Sequence, residues 1–557
     1  MVTWCPRAEG AGLILAAALA SACGGSAAPP GAALPPNTSG WWRDKVVYEV
    51  FVRSYADSDG DGIGDLKGLT ARLPDLGRCA GTAATNSLGV DALWLMPIFP
   101  SPSYHGYDVT DYADINPKYG TLADFDSLVS AAHACDLKIV LDMVLNHSSS
   151  QHPWFIDSAS DPAAAHRGWY VWSDTVASPG WSSPTGGSGA AWFWNSSAWY
   201  YAAFSSSMPD LNLTNPAVEA ELVAAMKSWL KRGVDGFRLD AVPYYVETGQ
   251  GAGQRNQPET HAFLKRIRAA LQAEYPQTLL VAEAWQSAPT VATYYGAGDE
   301  VQLAFTFDLA ARLVSAGASV GGGGDLMNAI DDAEAALGGI DRGFQAPFLT
   351  NHDQVRVMRQ LRGDPAAART AAAALFAMAG TPFLYYGEEL GMQGGPTADD
   401  RDKRTPYRWN AALRNAGFTS GVPWYSASTS EAAGTDLAAQ RADPTSLWNL
   451  YRSLVALRHA WPALHDVGFS RLTAEPATAS SPIALLRSAA GKRILFVANF
   501  AASPFGAFTV TIPSPAPAAG APSILLGEGL DTPPVVNSAT LSFANLQPRG
   551  FAFVSLD

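Results

Sequence analysis

The feature that most constrains this chain is a rhythm: eight short apolar runs, each followed by a helical stretch, between Trp41 and residue 460. The runs are Val46–Val52, Ala92–Met96, Lys138–Val144, Gly236–Leu239, Leu279–Ala282, Leu303–Phe307, Pro347–Leu349 and Phe383–Tyr386. Strands alternating with helices imply a parallel sheet, and eight of them close most economically into a barrel. The helices are clearly punctuated. Asn215-Pro216 supplies a cap and a first-turn proline, Val218, Leu222, Met226, Trp229 and Leu230 recur at helical spacing, and Gly233 ends the run. The fold class expected is α/β: a (β/α)8 TIM barrel with a subdomain inserted after strand 3 and a C-terminal β-sandwich.

The polar residues fall where such a barrel would collect them. Asp142 with Asn146 and His147, Arg238 with Asp240, Glu283, and Asn351-His352-Asp353 each follow or end an apolar run. C-terminal strand ends share one mouth in a barrel, and titratable groups from separate segments gathering there mark an active site. In Gly233-Val-Asp-Gly-Phe-Arg-Leu-Asp240, strand alternation sends Phe237 and Leu239 one way and Arg238 and Asp240 the other. A neighbouring guanidinium favours the ionised carboxylate that a nucleophile needs. Taken alone, the pair reads first as a structural ion pair; the recurrence of this construction at several strand ends favours chemistry.

Between His147 and Leu213 the rhythm lapses, far beyond ordinary loop length. This insert (148–212) is rich in Gly, Ser, Trp and Tyr and is expected to project over the mouth. Its rings suit stacking on sugars, but most should serve to hold a small subdomain together. From residue 461 to 557 short alternating strands with Pro, Gly and Ser turns indicate the sandwich. The Gly321–Gly324 run lacks the Lys-Ser/Thr of a phosphate loop and reads as a plain loop.

The N-terminus stands apart from the fold. Gly12–Ala22 is too short to span a bilayer and looks like the core of a secretory signal. Leu19-Ala-Ser-Ala-Cys23 resembles a bacterial lipoprotein processing site, which would make the protein extracytoplasmic and lipid-anchored through Cys23. The alternative is an ordinary cleaved signal (1–23) and secretion. Residues 24–40 read as a flexible spacer. Cys79 and Cys135 remain in the mature chain; both precede buried strands and can pair in an oxidising compartment. With 37 Lys and Arg against 51 Asp and Glu, a formal charge of −14 argues against nucleic acid and anionic membranes as partners.

A second constellation follows the first run. Asp57, Asp59, Asp61 and Asp65 alternate with glycines, and with the Ile63 carbonyl they offer the oxygen-rich set that Ca²⁺ prefers over the more hydrated Mg²⁺. Packed carboxylates repel without a cation. The role expected is structural.

Four segments, Asp142-Met-Val-Leu-Asn-His147, Gly236-Phe-Arg-Leu-Asp-Ala-Val242, Glu283 after Leu-Leu-Val-Ala, and Leu349-Thr-Asn-His-Asp353, resemble the signature segments of the α-amylase family of glycoside hydrolases. Met208-Pro-Asp-Leu-Asn212 resembles that family's additional segment in the group intermediate between oligo-1,6-glucosidases and neopullulanases. The resemblance implies Asp240 as nucleophile, Glu283 as general acid/base and Asp353 as transition-state stabiliser. It implies that Asp142 braces Arg238, with Asn146 supporting, and that Tyr107, His147 and His352 line the sugar site. Asp108 and Arg404 resemble a pair that grips the far end of that sugar. It further implies a monomer retaining stereochemistry on α-1,4 bonds of starch, glycogen or maltodextrins; Ala241 after the nucleophile resembles α-1,4-cleaving relatives. An exo-acting α-glucosidase or a transglycosylase is the alternative within the class, and a non-catalytic carbohydrate-binding barrel the alternative outside it.

Overall fold

The computed structural model describes residues 40–557, apart from 176, 187–188, 319–323, 338–341, 398, 427–430, 466–467 and 518–521. The signal, Cys23 and nearly all of the spacer therefore lie outside the described residues, as does most of the Gly321–Gly324 run. Eight parallel strands form the barrel: β1 (Val47–Val50), β2 (Ala92–Leu95), β3 (Lys138–Met143), β4 (Gly236–Leu239), β5 (Leu279–Ala282), β6 (Leu303–Phe305), β7 (Gln345–Ala346) and β8 (Phe383–Tyr385). Each pairs with its sequential neighbour from β1 to β7, and β8 returns to β1. A parallel bridge between Phe348 and Phe383 closes the ring. The seventh strand is thus earlier and shorter than the apolar run Pro347–Leu349, because Gln345 is buried in it while Phe348 contributes only that bridge.

Alternation along the strands separates two cores. Val47, Trp94, Val140, Val281, Phe305 and Phe348 fill the barrel interior, whereas Leu93, Leu95, Ile139, Leu141, Phe237 and Leu239 pack outward against the helices. The helix Pro216–Lys231 shows why: Asn215 accepts the Ala217 N–H as its cap, and Val218, Leu222, Met226, Trp229 and Leu230 are the buried stripe. A disulfide joins Cys79 to Cys135 beneath the starts of β2 and β3.

The insert carries a short helix (Pro153–Ser160) and a three-stranded antiparallel sheet of Trp172–Ser173, Ala198–Tyr201 and Trp192–Asn195. Trp192, Tyr201, Ala191 and Ala203 form its small core, flanked by Trp181, Trp199 and Phe204. The C-terminal region packs a five-stranded sheet on a four-stranded one around Leu495, Val497, Phe508, Phe543 and Val554. Buried Arg487 ties it to the barrel by donating to the carbonyls of Ala377 and Met378. Among the described residues no helix is long and apolar enough to cross a membrane.

Candidate active site

One buried guanidinium organises the mouth. Arg238 points into the barrel from β4, in register with Asp142 of β3, and is fully buried. Its Nη1 donates to Asp142 Oδ1 and to Asp240 Oδ1, both at 2.7 Å, and its Nη2 lies 2.9 Å from Glu283 Oε2. The other Asp142 oxygen accepts from the Trp94 indole at 3.2 Å and the Tyr107 hydroxyl at 3.0 Å. Asp142 is therefore saturated and holds the arginine in place. A buried ion pair of this kind is costly unless its remaining groups are bonded; Asp142 is, whereas Arg238 Nε and Nη2 have no hydrogen-bond partner among the described residues.

The residue after Asp240 completes the arrangement. Ala241 adopts a left-handed backbone conformation, φ 53°, which turns the chain sharply and sends its N–H to Glu283 Oε2 at 2.8 Å. A β-branched side chain fits that conformation poorly. Burial pushes the Asp240 carboxyl up to about 6 against the pull of Arg238. Burial likewise raises Glu283 to about 6, opposed by Arg238 and assisted by Asp240 and Asp353. Burial thus outweighs the guanidinium that was expected to keep Asp240 at an ordinary carboxylate value. Of the two, Asp240 has the aligned hydrogen bond, while the Nη2 contact to Glu283 lies off the hydrogen-bonding direction. Arg238 therefore favours the ionised form more directly at Asp240 than at Glu283.

Asp353 sits opposite, with Oδ1 accepting from Arg404 Nη2 at 2.9 Å and Oδ2 3.2 Å from His352 Nε2. Burial opposes its charge, yet His352 and Arg404 hold it well below the usual carboxylate range. His352 Nδ1 faces Glu49 Oε1 at 2.5 Å, and Nε2 faces the Tyr107 oxygen at 2.6 Å. Nδ1 faces the Glu49 carboxylate and Nε2 lies within 3.2 Å of the Asp353 carboxylate, so each ring nitrogen has an anion to donate to and the imidazolium is favoured. Burial works against that charge, but Asp353 and Glu49 prevail and raise His352 to about 9.

His147 differs. Burial lowers it to about 3, so it is a neutral ring, and its Nε2 has no hydrogen-bond partner among the described residues. Asn146 Nδ2 bonds Asp210 Oδ2 at 3.0 Å, and Asp210 Oδ1 accepts the Ala203 N–H, which ties the insert to the end of β3. Arg404 also donates from Nε to the His352 carbonyl. Asp108 accepts from the Ser101 and Ser103 hydroxyls, and Arg404 lines the cleft.

The cleft has a volume of about 460 Å³. Tyr107, His147, Asp240, Glu283, Asp353 and Arg404 line it, together with Phe204 and Met208 of the insert, Tyr244 and Trp285. The structure therefore brings together residues that follow six of the eight barrel strands. Sequence reasoning did not single out Glu49, Trp94, Tyr244 or Trp285. Glu49 hides inside an apolar run, and only its contact with His352, across the barrel, reveals it.

The acidic turn is separate. Asp57, Asp59 and Asp61 bring one carboxylate oxygen each within 4.8 Å of the others. Their oxygens also accept backbone N–H groups of the turn, and Asp57 accepts from Thr419. Asp65 caps the helix Leu66–Leu76 through Gly68 N and accepts from Ser58. Ile63 packs its side chain on the core. The donor set of three carboxylates suits a hard, oxygen-seeking cation.

With this geometry in view, the family model for the alpha amylase catalytic domain matches residues 49–466. The chain belongs to the α-amylase family of glycoside hydrolases. This α-amylase family enzyme is 38% identical to Alpha-amylase 3 of Dictyoglomus thermophilum over 78% of its own length and 80% of that protein's. It is 36% identical to a probable alpha-glucosidase of Rhizobium meliloti, over 76% and 83% of the two chains. Among solved structures, the alpha-amylase from H. orenii superposes with a TM-score of 0.76 at 31% identity, covering 92% of this chain and 99% of that one. The trehalulose synthase of Pseudomonas mesoacidophila superposes at 0.79 with 28% identity, covering 93% and 100%. Other relatives of this family member are named trehalose synthase and oligo-1,6-glucosidase, so membership alone does not choose among these reactions.

Proposed function

We propose that the enzyme hydrolyses α-1,4-glucosidic bonds of starch, glycogen or maltodextrins by double displacement. The observation that carries this reading is the single guanidinium shared by Asp240 and Glu283. It draws the two carboxyls together, as suits the separation of about 5–5.5 Å that retention needs, rather than the wider gap that leaves room for a water. In the first step Asp240 attacks the anomeric carbon as the bond to the leaving oxygen breaks, and the Glu283 proton passes to that oxygen. Water then attacks the same carbon, Glu283 takes its proton, and the bond to Asp240 breaks. Asp353, ionised between His352 and Arg404, receives sugar hydroxyls. His147 offers its unpartnered Nε2 to the same sugar.

The alternative, exo-action or transfer, draws support from the relatives named as glucosidase and trehalose synthases. Product analysis on a maltoheptaoside blocked at its non-reducing end separates the readings. Internal cleavage is expected; no reaction on the blocked substrate, with glucose released from the free one, would replace the endo reading with an exo one. For the acidic turn, Ca²⁺ bound by Asp57, Asp59 and Asp61 is the fitting cation, and its role is to pin the loop that follows β1. Export and a lipid on Cys23 complete the proposal; labelling with a radioactive fatty acid, with Cys23→Ala as the control, tests the anchor.

A further inference from the structure

Six large hydrophobic side chains are exposed among the described residues, and two of them are tryptophans. Trp285, 53% exposed, lies at the rim of the catalytic cleft, stacked on Phe307. Trp194, 48% exposed, lies elsewhere, at the tip of the insert's hairpin, beside Ile156 at 59%. Trp194 and Ile156 line a second groove of about 530 Å³, distinct in its residues from the catalytic cleft. Its walls also carry the hydroxyls of Ser160, Ser206 and Ser207 and the amide of Asn195. No Asp, Glu, Lys, Arg or His is among its lining residues, in a chain that carries 37 basic and 51 acidic side chains.

The ring is held for contact. Trp194 is paired in register with Trp199 across the hairpin, and the two indoles meet edge to face at 5.5 Å. An indole fixed from one side and open on the other, next to neutral donors and acceptors, matches the alternating apolar faces and hydroxyl edges of a sugar chain. It offers nothing to an ion. We infer that this groove is a non-catalytic docking site for a few consecutive glucose units of an α-glucan polymer whose other segments reach the cleft. The inference rests on the α-glucan reading of the catalytic site. Such a platform supplies avidity without new chemistry, since a second contact on the same polymer is effectively intramolecular.

The test uses electrophoresis in gels containing glycogen, with Glu283→Gln in all proteins so that nothing is digested. The Glu283→Gln protein should be retarded, and adding Trp194→Ala should weaken the apparent affinity about tenfold, in line with the loss of one stacking contact of this size. Ile156→Asp, on an exposed helix face, should weaken it as well and guards against local collapse of the hairpin. Equal retardation of all three proteins would overturn the inference. So would a Trp194-dependent dimer in sedimentation without any change in glycogen affinity, which would give the groove to a second copy of the chain. Hydrolysis of maltotriose by the wild-type enzyme separates the two levels. If hydrolysis is absent while Trp194-dependent retardation persists, the catalytic reading fails and the docking site stands.

Discussion

Replacing His352 with glutamine should flatten the pH dependence of stability between neutral and alkaline pH. In the fold this ring is charged, clamped between Glu49 and Asp353, and its pKa rises from the ordinary 6.5 to about 9. A group whose folded pKa is raised contributes stability that is fully present below the unfolded value and is lost as pH climbs through the folded one. The window is therefore pH 6.5 to about 9. The span corresponds to about 3 kcal/mol at 1.36 kcal/mol per pH unit, as an order of magnitude. Urea unfolding of both proteins at pH 6 and pH 9.5 measures it, because other titrating groups cancel in the double difference. Wild type should lose about 3 kcal/mol more than His352→Gln across that interval. Parallel losses in the two proteins would show that His352 is neutral, and the argument from its two flanking carboxylates would be wrong.

Glu283→Gln should lower kcat for reducing-sugar release from soluble starch by at least about 10²–10⁴, the usual scale for general acid catalysis, while glycogen retardation is kept; equal activity would remove the acid/base assignment. Chelation should lower the melting temperature by a few degrees, and Asp61→Ala should abolish that response; an unchanged melting curve counts against a bound cation. Leu222→Ala, on the buried stripe of the helix Pro216–Lys231, should cost about 2–5 kcal/mol in denaturant unfolding. Asn215→Ala should cost about 1 kcal/mol through its lost cap, and a larger effect would point to its second bond, to the Gly168 carbonyl.

Much of the barrel was legible because burial and charge follow the same period of two. Arg238 and Asp240 alternate with Phe237 and Leu239, and that pattern by itself separates the inner face from the outer. Strand β7 was less legible, since its two residues include a buried glutamine and the apolar residues beside it belong to the closing bridge. The insert's sheet could not be read at all: its strands are two to four residues long and aromatic on both faces, so no period shows. Contacts between distant segments were equally silent. Glu49 meets His352 across 303 residues of chain, and nothing local in Val47–Val50 marks a glutamate destined for that contact. The high pKa of Asp240 depends on how completely the site is buried, a quantity that only packing determines.

The central claim is that Asp240 forms the bond to the sugar while Glu283 moves the proton. A 5-fluoro-α-glucosyl fluoride, which slows the second step, should trap the intermediate, and peptide mapping by mass spectrometry then locates it. The account predicts one added fluorohexose on Asp240. A label on Glu283, on Asp353 or on any other residue would contradict it.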